Sequence, residues 1–347
     1  HMADALLSPG IAGTMYALSG AAAWYAARKV KQENQEGIVP EMGVLGAFVF
    51  AAQMINFAIP GTGSSGHLCG GMLLSAVVGP YAGFLTMIGI LTLQCLVFGD
   101  GGLLALGANV WNMAFYGCFI GGGILWPLLT RQGLTQNTIT AASVSGSVLT
   151  LQLGAFSVAG ETFLSGITEL PFTAFLLLMQ PIHLAIGVVE GLATAAIVIF
   201  ISKAQPSLLR PADLETGPVK KASFTVLGIF AVAALLCGAA LSWFASAYPD
   251  GLEWSVAGVT GSEETSLAEP SSLHRSLESV QASTAIMPDY ALPAAEETAS
   301  SGETERASSI VNPETSLAGV LGSVIIAALV FAAGFLFGRK PHSHCPR

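Results

Sequence analysis

An all-α integral membrane protein of about nine spans, a seven-span bundle followed by a two-span hairpin with an external loop, is what three observations of this sequence predict. Only 10% of the 347 residues are charged, against roughly a quarter in soluble chains, while 52% are hydrophobic. Apolar runs close to the ~20 residues that cross a bilayer as helix recur along the chain. The lysines and arginines sit at alternate ends of those runs, so one orientation puts all of them except Arg275 and Arg306 on the cytoplasmic side.

The first span runs from about Ile11 to Ala27 and ends at Arg28, Lys29 and Lys31; the second runs from about Gly43 to Ile59 and stops at Pro60-Gly61. Leu68–Val78, broken by Gly79-Pro80, is too short for a full crossing and is placed inside the bundle. The next run reaches Phe98, before Gly99-Asp100-Gly101-Gly102. Later spans cover about Leu104–Leu129, Ile139–Val158 and Pro181–Ile201. A polar connector at 204–222 carries Arg210, Lys220 and Lys221, and spans at about Phe224–Phe244 and Ala318–Phe337 follow it. The domains read as 1–203, a membrane bundle; 204–222, a cytoplasmic connector; and 223–347, the hairpin unit.

Twelve acidic residues against Arg275 and Arg306 make residues 246–314 carry a net charge of −10, so the chain's −9 belongs to that loop. Its Ser, Thr, Glu, Ala and Pro content predicts a largely disordered external segment, with a small ordered cap at the Pro249-Asp250-Gly251 turn before Trp254. The five cysteines have no paired spacing and suggest neither a disulfide framework nor a thiolate site. No basic region precedes the first apolar run, so no cleavable signal peptide is expected. Nor is a nucleic-acid partner; membrane lipid is.

The orientation puts His1 and His67 on the same outer face. A terminal amine, the amide nitrogen of Met2 and a His1 ring can close fused five- and six-membered chelate rings. A ring nitrogen from His67 completes four nitrogens. A planar set of that kind suits Ni(II) or Cu(II), whereas zinc prefers a tetrahedron. A leading His-Met can also be a remnant of recombinant expression, and an initiator Met ahead of His1 would shift the donor set by one residue. Gly61-Thr62-Gly63-Ser64-Ser65-Gly66 fits a dinucleotide pattern literally, but it joins two spans rather than a strand and a helix. It reads as a tight external turn that aims His67 inward. Asn56, Ser64, Asn109 and Asn112 are candidate outer-shell residues that orient a ligating ring. His183 and Glu190 share one face of the seventh span and are functional candidates as intramembrane ionisable residues. The tail His342-Ser343-His344-Cys345 lies on the opposite side.

With these residues placed, the chain resembles the substrate-binding S component of a nickel/cobalt energy-coupling-factor transporter, the CbiM/NikM family. The resemblance rests on His1-Met2-Ala3-Asp4 with Leu7-Ser8-Pro9 and on Ser65-Gly66-His67-Leu68-Cys69-Gly70-Gly71. It continues in Phe98-Gly99-Asp100-Gly101-Gly102, Asn109, Asn112-Met113-Ala114 and His183 through Thr194. Residues 222–340 are similar to the small partner NikN/CbiN, marked by Pro249-Asp250-Gly251-Leu252-Glu253-Trp254. The resemblance implies a multi-pass protein of the bacterial cell membrane, N-terminus outside and C-terminus cytoplasmic. It implies that His1, Met2 and His67 bind Ni(II), with Co(II) the alternative cargo. It also implies a separate membrane scaffold (T) subunit and cytoplasmic ATPase subunits. Rival readings are a membrane enzyme using His183 and Glu190 as acid and base, and a vitamin-type S component. The metal reading expects nickel binding to be lost in His67→Ala and kept in Glu190→Ala.

Overall fold

The computed structural model describes residues 1–32, 38–209, 223–262, 267, 270–292 and 312–337. Residues 210–222 of the connector and the His342–Cys345 tail fall outside them. Helix α1 (Pro9–Gln32) opens on a proline, whose missing N–H is no loss there, and closes on Lys29 and Lys31, which suit the negative helix end. Helix α2 (Val39–Gln53) is buried almost throughout.

The second apolar run does not continue as helix to Ile59. Phe57–Ile59 instead forms strand β1, paired antiparallel with β2 (Ser64–Gly66) in the register Phe57↔Gly66. The cause is local: Pro60 ends the run, and Gly61 and Gly63 supply the positive φ values that the turn needs. Helix α3 (Gly71–Val78) has all eight residues buried and sits within the bundle, as its length predicts.

Helix α4 (Pro80–Phe98) is followed by α5 (Leu106–Thr130), whose stretch Val110–Leu125 winds in wide π turns. Helix α6 (Gln136–Ser165) begins with a reciprocal Thr135–Thr138 cap. Helix α7 (Phe172–Ala204) begins well before Pro181, the start expected for that span; the proline lies inside the helix on an exposed face, where the lost backbone bond costs little packing. Helices α8 (Phe224–Ala239) and α11 (Pro313–Phe337) form the hairpin and pack on α2, with the Phe48 and Phe230 rings edge to face at 5.3 Å.

Among the described residues, five helices are long and apolar enough to cross a membrane: α4, α5, α6, α7 and α11. Helices α2 and α8 are apolar but shorter.

Part of the acidic loop departs from the expectation of disorder. Helix α9 (Gly251–Thr260) is followed by α10 (Ser272–Thr284) and a single turn at Pro288–Tyr290. The Met287 N–H donates to Val97 O at 3.1 Å, and Gln281 Nε2 donates to Gly101 O at 2.7 Å. Composition averaged over the loop hides these pieces. Helix α10 cannot bury apolar surface by itself, but His274 and Leu277 find a partner surface in the chain's first residues.

Candidate metal centre

The chain's start is anchored by its apolar side chains. Met2, Leu6 and Leu7 are fully buried, and one turn at Asp4–Leu6 carries the chain from them into α1. The backbone groups this buries must find partners. Asn109 supplies two: its Oδ1 accepts the Met2 N–H at 2.8 Å and its Nδ2 donates to Met2 O at 3.1 Å. The Gly102 N–H donates to the same Met2 carbonyl at 2.9 Å, and Asp4 Oδ1 accepts the Ala105 N–H at 2.9 Å. From the external loop, His274 Nε2 donates to Leu7 O at 3.0 Å. Gly101 is required at its place: its φ is +80°, and a Cβ there would lie 2.8 Å from the His1 Cβ.

Two carboxylates flank His1. Its Nδ1 lies 2.5 Å from Asp100 Oδ1, while its Nε2 is buried without a partner among the described residues. The Tyr290 hydroxyl donates to Asp100 Oδ2 at 2.6 Å. Burial, then the charge of Asp100, hold that phenol well above its ordinary range, so it remains a donor. The His1 amino nitrogen is 3.5 Å from Asp250 Oδ2. Burial acts to lower the pKa of this amine, but Asp250, Asp100 and Glu253 together outweigh it and raise it. The Asp250 pKa is lowered: burial opposes this, and the amine is the largest of the favourable influences. The other Asp250 oxygen caps α9, accepting the Leu252 and Glu253 N–H groups at 2.8 and 2.9 Å. One side chain therefore fixes the helix start and meets the amine. Gly251 lets α9 approach α7 so closely, because a Cβ there would be 2.7 Å from Ile182 and 3.2 Å from the His183 ring.

His67 arrives on the hairpin. Ser65 ties β2 to the same Pro-Asp-Gly stretch, its N–H donating to Pro249 O at 2.8 Å and its hydroxyl to Tyr248 O at 2.7 Å. Trp254 Nε1 donates to Thr62 O at 3.0 Å. Below His67, Glu190 accepts the Cys69 and Gly70 N–H groups at 2.8 and 3.0 Å. Both carboxylate oxygens are thus engaged in shaping the His67 loop. His183 Nδ1 instead bonds to Met179 O at 2.7 Å. The two residues do not form the acid–base pair that the enzyme reading requires. Glu190→Ala is accordingly expected to disturb the His67 position, a revision of the expectation from sequence.

The His1 and His67 rings face each other with centroids 5.7 Å apart and planes 19° from parallel. His67 Nδ1 bonds to Leu68 O at 3.1 Å, which leaves Nε2 as the ring's free donor atom. A cavity of about 100 Å³ opens beneath them, lined by His1, His67, Asp250, His183, Met72 and Glu190 among others.

Of the residues singled out from sequence, the structure brings His1, Met2, His67, Asn109 and Asn112 to this cavity. Asn109 grips the Met2 backbone rather than a ring, and Asn112 Nδ2 reaches Met2 Sδ at 3.6 Å and Glu161 Oε2 at 2.8 Å. Asn56 and Ser64 stand outside the cavity lining. The Asn56 carbonyl accepts the Ser246 N–H, and the Ser64 hydroxyl is spent on Ser65 O and Pro249 O. Sequence reasoning missed Asp100 and Asp250. Each stands beside glycine in a motif that was noticed, but their convergence on His1 spans 99 and 249 positions.

Two nitrogen positions are in use already. The Met2 amide proton is donated to Asn109, and His1 Nδ1, the ring atom that can chelate with its own backbone nitrogen, is held by Asp100. A metal that recruits either must displace its present partner. Two carboxylates beside a cluster of nitrogens form a surrounding that favours a dication.

Comparison with known proteins places the chain in a family. Residues 1–208 match the CbiM family, described as a cobalt uptake substrate-specific transmembrane region. The chain belongs to the CbiM family. Residues 224–339 match the PDGLE domain, whose defining letters are Pro249 through Glu253 here. A putative fused nickel transport protein NikMN of Archaeoglobus fulgidus is 32% identical over 332 residues, covering 96% of this chain and 97% of that one. A cobalt transport protein CbiM of Sorangium cellulosum is 28% identical, covering 60% of this chain and 94% of that one. A crystal structure of a transition metal transporter, 30% identical, superposes with a TM-score of 0.52, covering 59% of this chain and 93% of that one. The chain is therefore a CbiM-type membrane unit fused to a PDGLE unit, a transport component rather than an enzyme.

Proposed function

We propose that this protein captures Ni(II) for uptake, binding it at the outer end of the bundle between the His1 end of the chain and His67. One observation carries the reading. Two imidazoles and a backbone nitrogen, from positions 66 residues apart, converge above a cavity, with Asp100 and Asp250 beside His1. Nitrogen donors that can close into a plane suit Ni(II) or Cu(II). The names of the Archaeoglobus and Sorangium relatives support nickel and cobalt respectively, and Co(II) is the second cargo this donor set takes.

Two donor frames are open. In one, the amine of His1 and the amide of Met2 bind with both rings. In the other, a residue ahead of His1 supplies the amine and the His1 nitrogen is the amide. The hydrogen bond between the Met2 amide and Asn109 supports the second frame, because it leaves Met2 outside the donor set. N-terminal sequencing of the natural protein decides between them.

The same proposal has nine spans, with the His1 end outside and the C-terminus in the cytoplasm of a bacterial cell. Energy-coupling-factor transport then needs a scaffold subunit and ATPases on separate chains. Equilibrium dialysis against nickel, cobalt and zinc tests the capture step. One nickel per chain, with affinity reduced by at least ~100-fold in His67→Ala, is the expected result. Unchanged nickel binding in that variant overturns the reading.

A further inference from the structure

We propose that His183 is an alternative imidazole for the bound metal, the donor that takes over when His67 lets go. This rests on the reading that nickel binds between His1 and His67.

The ring of His183 lines the same cavity as those two histidines, from α7, beside Gly251 of the external cap. Its Nδ1 is committed to Met179 O at 2.7 Å, one turn back on its own helix. That bond fixes the proton on Nδ1 and leaves the Nε2 lone pair free. Ligating imidazoles are commonly held in this way, by a carbonyl on the other nitrogen. Among the described residues no hydrogen bond reaches Nε2. A histidine that served packing alone would bury that atom against a donor; His183 instead lines a cavity.

The cavity also has room to spare. About 100 Å³ exceeds what a bare ion requires, and His183, Met179 and Met72 line it together with His1 and His67. Asp250, which meets the His1 amine, interacts electrostatically with both His67 and His183. A dication that steps from one ring to the other thus stays beside the same carboxylate. His67 sits on a two-strand hairpin tied to the external cap, whereas His183 is built into a helix of 33 residues. Withdrawing the hairpin would leave the ion with the helix-borne ring.

A double-mutant cycle on equilibrium nickel binding by the full-length protein tests this. His183→Gln alone is expected to change the dissociation constant by less than about threefold, because His67 holds the ion. His67→Ala weakens binding but leaves a residual site. In that background His183→Gln is expected to weaken the residual binding by a further ~10-fold or more. Equal effects of His183→Gln in both backgrounds, or none in either, would overturn the proposal, since a structural role acts alike in both. If His67→Ala itself leaves nickel binding unchanged, the underlying site assignment fails instead. His183→Phe, which keeps the ring volume without a donor atom, repeats the cycle should the glutamine variant not fold.

Discussion

The first seven residues and the hairpin from Phe57 to Gly71 each carry one imidazole into the same cavity, yet they are held there by different means. The chain start depends on side chains of distant segments: Asn109 and Asp100 from the α4–α5 region, Asp250 and His274 from the external loop. The hairpin is fixed by its own strand pairing, and by one carboxylate on a membrane helix, Glu190. Ordering the first element therefore requires several parts of the fold to be docked at once. The second relies on fewer: its own strand pairing, Glu190 on α7 and the ties of Ser65 and Trp254 to the external cap. The PDGLE unit touches both, through Asp250 on one side and through Tyr248, Pro249 and Trp254 on the other. The fused second unit thus contributes walls to a site whose imidazoles belong to the first.

Substitutions that hit one arm and spare the other can break this contrast. The largest effect is expected for His67→Ala, with nickel affinity reduced by at least ~100-fold in equilibrium dialysis, since losing even a second-shell partner costs about 10–100-fold. Glu190→Ala comes next. It leaves the Cys69 and Gly70 N–H groups buried without an acceptor, at about 1–3 kcal/mol each. A lower melting temperature and weaker nickel binding should appear together. A normal melting temperature with unaltered affinity would show that Glu190 does not shape the loop.

On the other arm, Asp100→Asn removes one of the two charges beside the cation and weakens binding by about 10-fold, within the range for outer-shell groups. Asp250→Asn sharpens the comparison through pH. Metal binding by an amine releases its proton, so affinity falls with falling pH. Asp250 helps to raise the pKa of the His1 amine, and its loss lowers that pKa. The affinity-versus-pH curve of the variant should then move to lower pH in competition titrations, if His1 carries the amine. The smallest effect is Tyr290→Phe, the loss of one hydrogen bond to Asp100, worth about 1 kcal/mol.

Much of the bundle was legible because apolar length and basic flanks record a bilayer directly. Helix α3 was placed inside by its shortness alone. The two places where the sequence misled share a cause. Phe57–Ile59 is apolar enough to extend a span, and Pro181 resembles a helix start, but apolar content does not record the turn at Pro60–Gly63 that makes the first a strand, nor that the second lies on an exposed helix face where a proline is tolerated. The candidate centre was half legible. His1 and His67 stand out as rare imidazoles on one face, and Asn109 and Asn112 as amides within an apolar run. Asp100 and Asp250 could be noticed only as turn residues, since no local pattern records that two turns 150 residues apart meet at one residue, His1. Helix α10 was hidden for the same reason: the surface that orders it belongs to the first seven residues.

X-ray absorption at the nickel edge of the loaded protein tests the central claim most directly. Four thioethers and a thiol, Met2, Met72, Met113, Met179 and Cys69, line the same cavity as the nitrogen donors, and sulfur is a ready ligand for soft metals. A first shell of nitrogen alone, with the outer-shell scattering of two imidazoles, is the predicted result. A sulfur scatterer in the first shell, or a single imidazole, would contradict it.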